Sequence, residues 1–389
     1  MRHFGVTARG LRLPIISKGD PLTDIITEEL RAASESEELK ICPDDVIAVT
    51  EAVVAKAQGS YATLDHIARD VSEKFPGGTA GIVFPIMSRN RFYNILKGIA
   101  RGLSQVYILL SWPDDEVGNP VFDKSRIDEI TDALPPGPVP SEVFKKIAGV
   151  FNHPFTGVDY ISLYESVGSH VKVYLSNDPR DILKLTPHAL VSEIHTRNLT
   201  KARLVKAGAK TVYTLSDILS APVGDGGFNP DYGVLGSNIA TDELLKLYPR
   251  ECDSFISELS EKISAFAGCN PEIMVYGDGA FKDPARGIWE LADPVVSPAY
   301  TRRLGLLPDE VKIKMVADQY LGDLRGKAKT EAVKEFIRNR TGENIYSEGT
   351  TPRMYADLLG SLCDLMSGSG EKGTPVVWIK GYFDSYADE

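Results

Sequence analysis

The acidic residues between Val275 and Pro294 carry the clearest chemical signal in this chain. The segment reads "VYGDGAFKDPARGIWELADP" and contains four carboxylates, Asp278, Asp283, Glu290 and Asp293. It begins as a strand, and a strand that ends in Gly-Asp-Gly puts Asp278 on a tight turn at a sheet edge. Glycine lets a ligand come close to the backbone, but Asp and Gly also form turns for conformational reasons of their own. Asp278 is therefore either a metal ligand or a turn residue.

Two further acids offer oxygens to the same metal. Asp318 and Asp323 lie in "VADQYLGDLRG". Mg²⁺ and Mn²⁺ bind a few carboxylates that converge from distant segments, and they keep positions open for phosphate. Two acids on one helix are also typical of a solvated face. The spacing alone does not choose between these alternatives.

Basic and hydroxyl side chains near predicted helix starts indicate anion sites. In "SRNRF", Arg89 and Arg91 follow a strand and begin a helix, where an anion is favoured; a solvated surface is the alternative. In "VLGSN", Ser237 and Asn238 occupy a glycine-flanked turn before a predicted helix. They cap that helix or hold a substrate carboxylate or phosphate. His195 in "SEIHTR" is a further candidate, although a lone histidine is commonly structural.

The glycine-rich segment "GSGEKG", residues 368–373, matches the G-x-G-x-x-G pattern but not its context. A dinucleotide fingerprint follows a strand and begins a helix, whereas this segment follows a predicted helix and precedes a strand. It is either a helix C-cap and turn, or a loop whose N–H groups cradle phosphates with Lys372 adding charge. The sequence contains no Walker A, G-x-S-x-G or H-E-x-x-H motif, so no motif supplies a side-chain nucleophile.

Composition argues against several classes of function. The 389 residues carry a net charge of −11, and a nucleic-acid partner would need clustered Lys and Arg. No apolar run of about twenty residues predicts a membrane span, and no secretory signal is predicted. The four cysteines are scattered and lack metal-ligand spacing. This usage predicts reduced thiols, a cytoplasmic protein and no cysteine-based zinc site.

The predicted elements follow an irregular order. Strands and helices alternate over roughly the first hundred residues. Residues 113–160 are rich in Pro, Gly and Asp, which predicts long loops around one short helix. Three strands follow, with a helix between the last two, and the C-terminal third is mostly helical before the final strand "PVVWIKGYF". This order predicts a mixed α+β fold, with mixed sheets and packed helices, more than a regular doubly wound sheet.

Five segments, taken in order, resemble the γ-glutamyl ligases of the deazaflavin coenzyme F-420. They are "LPIISKGDPLTDIITEEL", "DDVIAVTEAVVAKAQG", "YGVLGSN…LYPR", "VYGDGAFKDP" and "DLLGSLCDLMSGSGEKGTPVVWIKGY". Each is weak alone, and their shared order makes the resemblance specific. It covers mainly residues 10–60 and 230–385. We therefore expect a ligase core of residues 1–60 and 229–389, and an enlarged inserted α/β region, residues 61–228, that takes part in acceptor binding.

The resemblance implies a reaction. A nucleoside triphosphate, usually GTP, phosphorylates a substrate carboxylate, and the amine of L-glutamate attacks the acyl phosphate. A carboxylate is a poor electrophile, and phosphorylation supplies a leaving group. Mg²⁺ or Mn²⁺ neutralises the phosphate charge, with K⁺ as a further candidate ion. No side-chain nucleophile is needed, in agreement with the motifs. The resemblance also implies an intertwined homodimer and a small-molecule carboxylate acceptor.

Individual residues match the family pattern. Asp278 matches its first metal-binding aspartate, Asp318 is our choice for the second, and Asp323 is the reserve, in a region that departs from the pattern. Lys282 stands where the family often has a basic residue. The residues implied to contact nucleotide are Leu13, Pro14, Ile15, Ile16, Lys56, Ser237, Asn238, Gly368, Ser369, Gly370 and Lys372. The residues expected to hold acceptor or glutamate carboxylates are Arg89, Arg91, His195 and Arg197.

Two other functions stay open. The enlarged middle region also suits a ligase that adds glutamate to a folate or another carboxylate-bearing metabolite. The departure from the second aspartate motif also suits a nucleotide-binding regulatory protein without ligase activity. The sequence does not choose between GTP and ATP.

Overall fold

The computed structural model describes residues 4–279, 292–340, 353–366 and 370–388. These residues form a mixed α+β fold with three sheets and helices packed against them, which confirms the predicted fold class. Within these ranges, every helix is too short or too polar to span a lipid bilayer.

The strands of the described residues are short, and most have five residues or fewer. In chain order they are β1 (Thr7–Leu11), β2 (Val46–Thr50), β3 (Tyr61–Thr63), β4 (Thr79–Val83), β5 (Gln105–Leu110), β6 (Val139–Pro140), β7 (Val171–Leu175), β8 (His188–Val191), β9 (Thr211–Thr214), β10 (Asn238–Thr241), β11 (Leu244–Lys246), β12 (Glu272–Tyr276), β13 (Ala299–Tyr300) and β14 (Val376–Lys380). They form sheets of order β1-β14-β2-β12-β13, β10-β11-β3 and β6-β7-β5-β4-β8-β9.

The α-helices pack on the faces of these sheets. In chain order they are α1 (Leu22–Ser36), α2 (Glu51–Gln58), α3 (Leu64–Lys74), α4 (Phe92–Gly102), α5 (Ile127–Ala133), α6 (Ser141–Ala148), α7 (Tyr160–Glu165), α8 (Arg197–Lys206), α9 (Cys252–Ala267), α10 (Ile313–Gln319), α11 (Gly326–Asn339) and α12 (Tyr355–Met366). Strand β2 runs directly into α2, which ends at Gly59 with φ 64°, as the sequence predicted.

The five-stranded sheet is built around β2. Its sequence "VIAVT" is buried at every position, as expected for a central strand covered on both faces. Helices α1 and α9 cover one face through residues such as Leu30 and Leu259, and α12 covers the other through Leu359. Strand β12 runs parallel to β2, with Tyr276 paired with Thr50. The residues that follow these two strands therefore lie next to each other at one edge of the sheet.

The six-stranded sheet has a doubly wound core. Strands β7, β5, β4, β8 and β9 are mutually parallel, and β6 joins the edge as an antiparallel strand. The chain starts at β4, adds β5 and β7 on one side, and then adds β8 and β9 on the other. A parallel sheet with this order has a crevice where the connections diverge, at the carboxyl ends of β4 and β8. The whole chain is α+β, but this part is a regular α/β sheet.

Two local predictions are wrong. Ser237 and Asn238 do not precede a helix, because the residues after them form the hairpin β10-β11. Strand β11 pairs with β3, and this pairing buries Leu245, so tertiary contacts override the helical pattern of "TDELLKL". Residues 113–160 contain two short α-helices, α5 and α6, where one was predicted. Helix α6 forms because it buries Phe144 against the rest of the core.

The sheets are distributed unevenly along the chain. All strands of the six-stranded sheet lie between residues 79 and 214, inside the predicted inserted region. All strands of the five-stranded sheet lie outside it. The three-stranded sheet combines β3 with β10 and β11, and so joins residues from both sides of the predicted boundary.

Candidate active site

Two carboxylates meet at the carboxyl end of β12. The backbone N–H of Asp278 donates to Asp293 Oδ2 over 2.8 Å, and Asp293 is fully buried. Gly277 makes this approach possible, because a Cβ at that position would lie 2.4 Å from Asp293 Oδ2. The Gly-Asp sequence after β12 therefore does more than turn the chain, since it admits a second carboxylate beside Asp278.

Arg91 links these carboxylates through one guanidinium group. Its Nη1 donates to Asp293 Oδ1 and its Nη2 to Asp278 Oδ2, each over 2.7 Å. The Arg91 side chain is 14 % exposed, so the bridge is largely shielded from water. Arg91 lies between β4 and α4, and thus brings a cation from the six-stranded sheet to carboxylates of the five-stranded sheet.

The loop that carries Arg91 is held from beneath by Tyr164. The Tyr164 hydroxyl donates to the carbonyl oxygen of Ile86 over 2.8 Å and accepts from the N–H of Ser88 over 3.1 Å. Ser88 Oγ in turn accepts from the N–H of Arg91 over 3.1 Å. These hydrogen bonds hold the backbone of the loop at Arg91. The contact with Asp278 is then determined by the conformation of the Arg91 side chain.

Burial shifts the titration of the cluster. It raises the pKa of Asp278 to about 7, with the charge of Asp293 acting in the same direction and Arg91 opposing. Burial also lowers the pKa of Arg91, but Asp293 and Asp278 outweigh it, and the net shift is upward. Asp364 Oδ2 accepts from the N–H of Gly279 over 2.8 Å, and burial raises the pKa of this carboxyl above its ordinary value.

A fourth carboxylate follows the neighbouring strand β2. Glu51 is 5 % exposed and accepts from Lys246 Nζ at both oxygens, over 2.7 and 2.8 Å. Burial raises the pKa of Glu51, with Lys246 opposing and the charge of Asp293 adding to the rise. The site thus gathers four acidic groups around two cationic ones at the carboxyl ends of β2 and β12.

The donor chemistry of this cluster suits a divalent cation. Carboxylate oxygens are the ligands that Mg²⁺ and Mn²⁺ prefer, and the facing oxygens of Asp278 and Asp293 already share a positive charge. In the described part of the chain, however, no three His, Cys, Asp or Glu side chains stand in a metal-binding group. The guanidinium of Arg91 takes the place between the two aspartates.

The other two predicted metal ligands, Asp318 and Asp323, do not form a metal-binding group with Asp278 in the described residues. Asp318 is exposed on α10, and Asp323 is exposed shortly after this helix. Neither joins Asp278 in a metal-binding group within the described ranges, and their assignment stays a prediction. Lys282, Gly368 and Ser369 lie outside the described residues.

The segments predicted to contact nucleotide come together beside β2. The N–H of Leu13 donates to the carbonyl oxygen of Gly373 over 3.2 Å, which joins the N-terminal segment to the end of the "GSGEKG" loop. The N–H of Gly19 donates to the carbonyl oxygen of Ala57, next to half-buried Lys56. Solvent-exposed neighbours in these segments are Pro14, Ile15, Gly370 and Lys372. Ile15 is 87 % exposed although apolar, whereas Ile16 is buried.

Ser237 lies close to Arg91. Both line a cavity of about 20 Å³, together with Ile86, Ser192, Ile194 and Ala292. Ser237 is 1 % exposed, and its Oγ has no hydrogen-bond partner within the described part of the chain. A cavity of this size holds about one water molecule. Asn238 begins β10 and pairs with Lys246, the residue that forms the ion pair with Glu51. The predicted Ser-Asn turn therefore lies between this ion pair and the cavity.

The remaining predicted basic residues follow two neighbouring parallel strands, Arg89 after β4 and His195 and Arg197 after β8. The backbone N–H of His195 donates to Glu116 over 2.8 Å, and the N–H groups of Ile194 and Thr196 donate to the same carboxylate. The Arg197 guanidinium donates to the carbonyl oxygen of Ile194. The side chains of His195 and Arg89 are exposed. Among the predicted substrate ligands, it is Arg91 that the described structure brings to the acidic cluster.

The sequence analysis assigned no role in the site to three cluster residues. Asp293 lies in the same acidic segment as Asp278 but carries no motif of its own. Glu51 follows a buried strand just as Asp278 does, and this position would have identified it. Asp364 lies on α12, where it resembles any partly exposed acid of an amphipathic helix.

Comparison with known proteins supports the resemblance. A family model described as F420-0:Gamma-glutamyl ligase matches residues 10–381, nearly the whole chain. The matched range includes residues 61–228, whereas the five motifs of the resemblance lie mainly in residues 10–60 and 230–385. The sequence matches no curated protein.

Proposed function

Since the chain belongs to the F420-0:gamma-glutamyl ligase family, we propose that it joins L-glutamate to a carboxylate-bearing acceptor in a reaction that consumes GTP or ATP and needs a divalent cation. The observation that supports this most is a convergence at one edge of the five-stranded sheet. The acidic cluster, Arg91 and the nucleotide-type segments all lie where β2 and β12 end and β14 begins.

The proposed chemistry runs in two steps. An oxygen of the acceptor carboxylate attacks the γ-phosphorus, the bond to the nucleoside diphosphate breaks, and an acyl phosphate forms. The amine nitrogen of glutamate then forms the new C–N bond, inorganic phosphate leaves, and the amine releases a proton. A divalent cation held by Asp278 and Asp293 would supply charge neutralisation at the transferred phosphoryl group. Asp318, the choice from the sequence, is the alternative second ligand.

The nucleotide is proposed to bind beside α2. Lys56 provides a point charge for a phosphate. The exposed apolar side chain of Ile15 offers a surface for a base, and residues 370–372 offer backbone N–H groups and the charge of Lys372. Hydrogen bonds from Leu13 to Gly373 and from Gly19 to Ala57 hold these segments in one neighbourhood.

The acceptor is proposed to enter from the six-stranded sheet. Its crevice at the ends of β4 and β8 is the usual ligand position in a doubly wound sheet. The residues there that suit a carboxylate are Arg89, His195 and Arg197, and Arg91 lies between this crevice and the acidic cluster. A homodimer, implied by the resemblance, is part of the proposal.

A labelling experiment tests the reaction. The purified protein is incubated with isotopically labelled L-glutamate, GTP or ATP, Mg²⁺ or Mn²⁺ and a small-molecule extract of its host. Mass spectrometry then seeks a metabolite that gains one glutamyl unit. We expect nucleotide-dependent labelling that disappears in Asp278→Asn and persists in the control Asp128→Asn, an exposed acid on α5. Nucleotide binding without any labelled product would favour the regulatory protein instead.

A further inference from the structure

Arg91 is held more tightly than a substrate ligand needs to be. Both terminal nitrogens of its guanidinium donate to carboxylates, at 2.7 Å each, and the two carboxylates come from separate places in the chain. Asp293 is fully buried, while Asp278 retains 24 % side-chain exposure. Such a paired, poorly hydrated guanidinium is not free to bind a substrate anion.

A divalent cation at this site would compete with the guanidinium. It would take the oxygens of Asp278 and Asp293 that Arg91 now occupies. A dication and a guanidinium within a few ångströms of each other also repel strongly in a shielded site. We therefore expect the cation and the guanidinium to compete for the aspartate pair.

We propose that Arg91 is the resident counter-cation of Asp278 and Asp293, that a divalent cation binds there by displacing its guanidinium, and that the released guanidinium then binds an oxyanion of the substrate. This inference rests on the proposed function for the cation requirement. The oxyanion is a phosphate or a carboxylate, since both suit the planar fork of arginine.

The surroundings of Arg91 allow the side chain to move while its backbone stays fixed. Ser88 and Tyr164 hold the loop through hydrogen bonds. On the side of Ser192 and Ser237 lies the cavity of about 20 Å³. Ser237 Oγ is buried there with no hydrogen-bond partner among the described residues, and it can accept a bond from one N–H of a guanidinium that shifts toward the cavity. The four-bond stem of arginine is long enough to change its partners without a change in the fold.

The exchange makes cation and anion binding cooperative. An anion that binds Arg91 stabilises the released side chain and leaves the aspartates free for the cation. By thermodynamic linkage, the cation must tighten anion binding by the same factor. Couplings between two ligands are typically about 5- to 150-fold.

Titration with Mn²⁺ tests this coupling without any substrate. Free Mn²⁺ is followed by electron paramagnetic resonance, with and without inorganic phosphate at constant ionic strength. We expect phosphate to tighten Mn²⁺ binding to the unaltered protein about tenfold. Arg91→Met should bind Mn²⁺ more tightly than the unaltered protein in phosphate-free buffer, and phosphate should then have no effect. Arg69→Met, which removes an exposed guanidinium on α3 that has no role in the proposed site, should behave like the unaltered protein.

Four results would overturn the proposal. Phosphate would leave Mn²⁺ binding to the unaltered protein unchanged; or Arg91→Met would bind Mn²⁺ no more tightly; or the phosphate effect would persist in that variant, which would mean that phosphate contacts the metal directly. Mn²⁺ binding that survives in Asp278→Asn would likewise place the metal elsewhere. If Arg91→Met does not fold, Arg91→Lys replaces it, with tighter Mn²⁺ binding and a weaker phosphate effect expected.

The outcomes separate this inference from the proposed function. Labelled product without cation–anion coupling would overturn the Arg91 exchange and leave the ligase. Coupling without labelled product in any extract would keep the exchange and overturn the ligase.

Discussion

The two larger sheets supply opposite charges to one site. The five-stranded sheet collects strands from both ends of the chain and contributes Glu51 and Asp278 after its parallel strands. The six-stranded sheet is built from one continuous stretch and contributes Arg91 after β4. The difference shows that neither sheet forms the site alone. The acids of one region remain buried because the other region brings the cation that pairs with them.

The two regions also stabilise buried carboxylates by different means. Asp278 is paired with a guanidinium. Asp115, in the six-stranded region, has no ion pair among the described residues and accepts instead from the N–H groups of Met87, Val117 and Asn119 and from the Asn119 amide, over 2.6 to 3.1 Å. Dipoles that are fixed by the fold suffice for a structural carboxylate. Asp278 is paired instead with a side chain, which is the partner that we propose it exchanges for a ligand.

The largest expected effect concerns the acids of the five-stranded region. Asp293→Asn should lower the rate of glutamate ligation about a thousandfold, because the transferred phosphoryl group loses several kcal/mol of charge stabilisation. Asp318→Asn should change the rate less than about twofold, since Asp318 is exposed on α10. Steady-state kinetics with the acceptor found by labelling measure both. The reverse order of effects would return the second metal position to Asp318.

The second prediction concerns the ion pairs of Arg91, which connect the two regions. Arg91→Ala leaves two buried carboxylates without their cation and should lower the free energy of unfolding by about 3–5 kcal/mol. Urea denaturation measures it. The matched Arg89→Ala removes an exposed guanidinium from the same loop and should change stability by less than about 0.5 kcal/mol. Equal effects of the two variants would contradict the bridge.

The third prediction concerns the close packing of Gly277 against Asp293. Gly277→Ala introduces a Cβ that would lie 2.4 Å from Asp293 Oδ2, in a place where Asp293 is fully buried. We expect a loss of about 1–3 kcal/mol in unfolding free energy, because either the carboxylate or the strand end must shift. Gly77→Ala is the control, since no atom lies within 4 Å of its added Cβ. A stable Gly277→Ala protein would show that this contact is loose.

The smallest effect sharpens the contrast between the two buried carboxylates. Burial raises the pKa of Asp115 to about 6, with its hydrogen bonds from Asn119, Met87 and Val117 opposing. A raised carboxyl pKa favours the folded state below the unfolded pKa, and this contribution is lost as pH rises through about 6. The stability of the unaltered protein relative to Asp115→Asn should therefore be about 1 kcal/mol greater at about pH 5 than at about pH 7.5. Chemical denaturation of both proteins at both pH values measures their free energies of unfolding. Subtracting the value for Asp115→Asn removes the contribution of the carboxyls that both proteins share. A difference that shrinks at the lower pH would mean that the hydrogen bonds outweigh burial.

The sequence by itself determined the local elements and one anchor of the site. A buried apolar run followed by a short helical pattern and glycine identified β2, α2 and the turn at Gly59. The same reasoning placed Asp278 at a strand end, and the ordered segments identified the family. These features depend on neighbouring residues, so periodicity and turn chemistry are enough to recognise them.

Only the tertiary structure decided what Asp278 contacts. Arg91 lies 187 positions from Asp278 and 202 from Asp293, and no local pattern encodes contacts at such separations. They meet because the segments that follow β12 and β4, which belong to two different sheets, come into contact at the site. The hairpin β10-β11 has the same origin, since pairing with β3 outweighs its helical pattern. Long-range pairing of strands and charges, rather than local propensity, therefore completed the site.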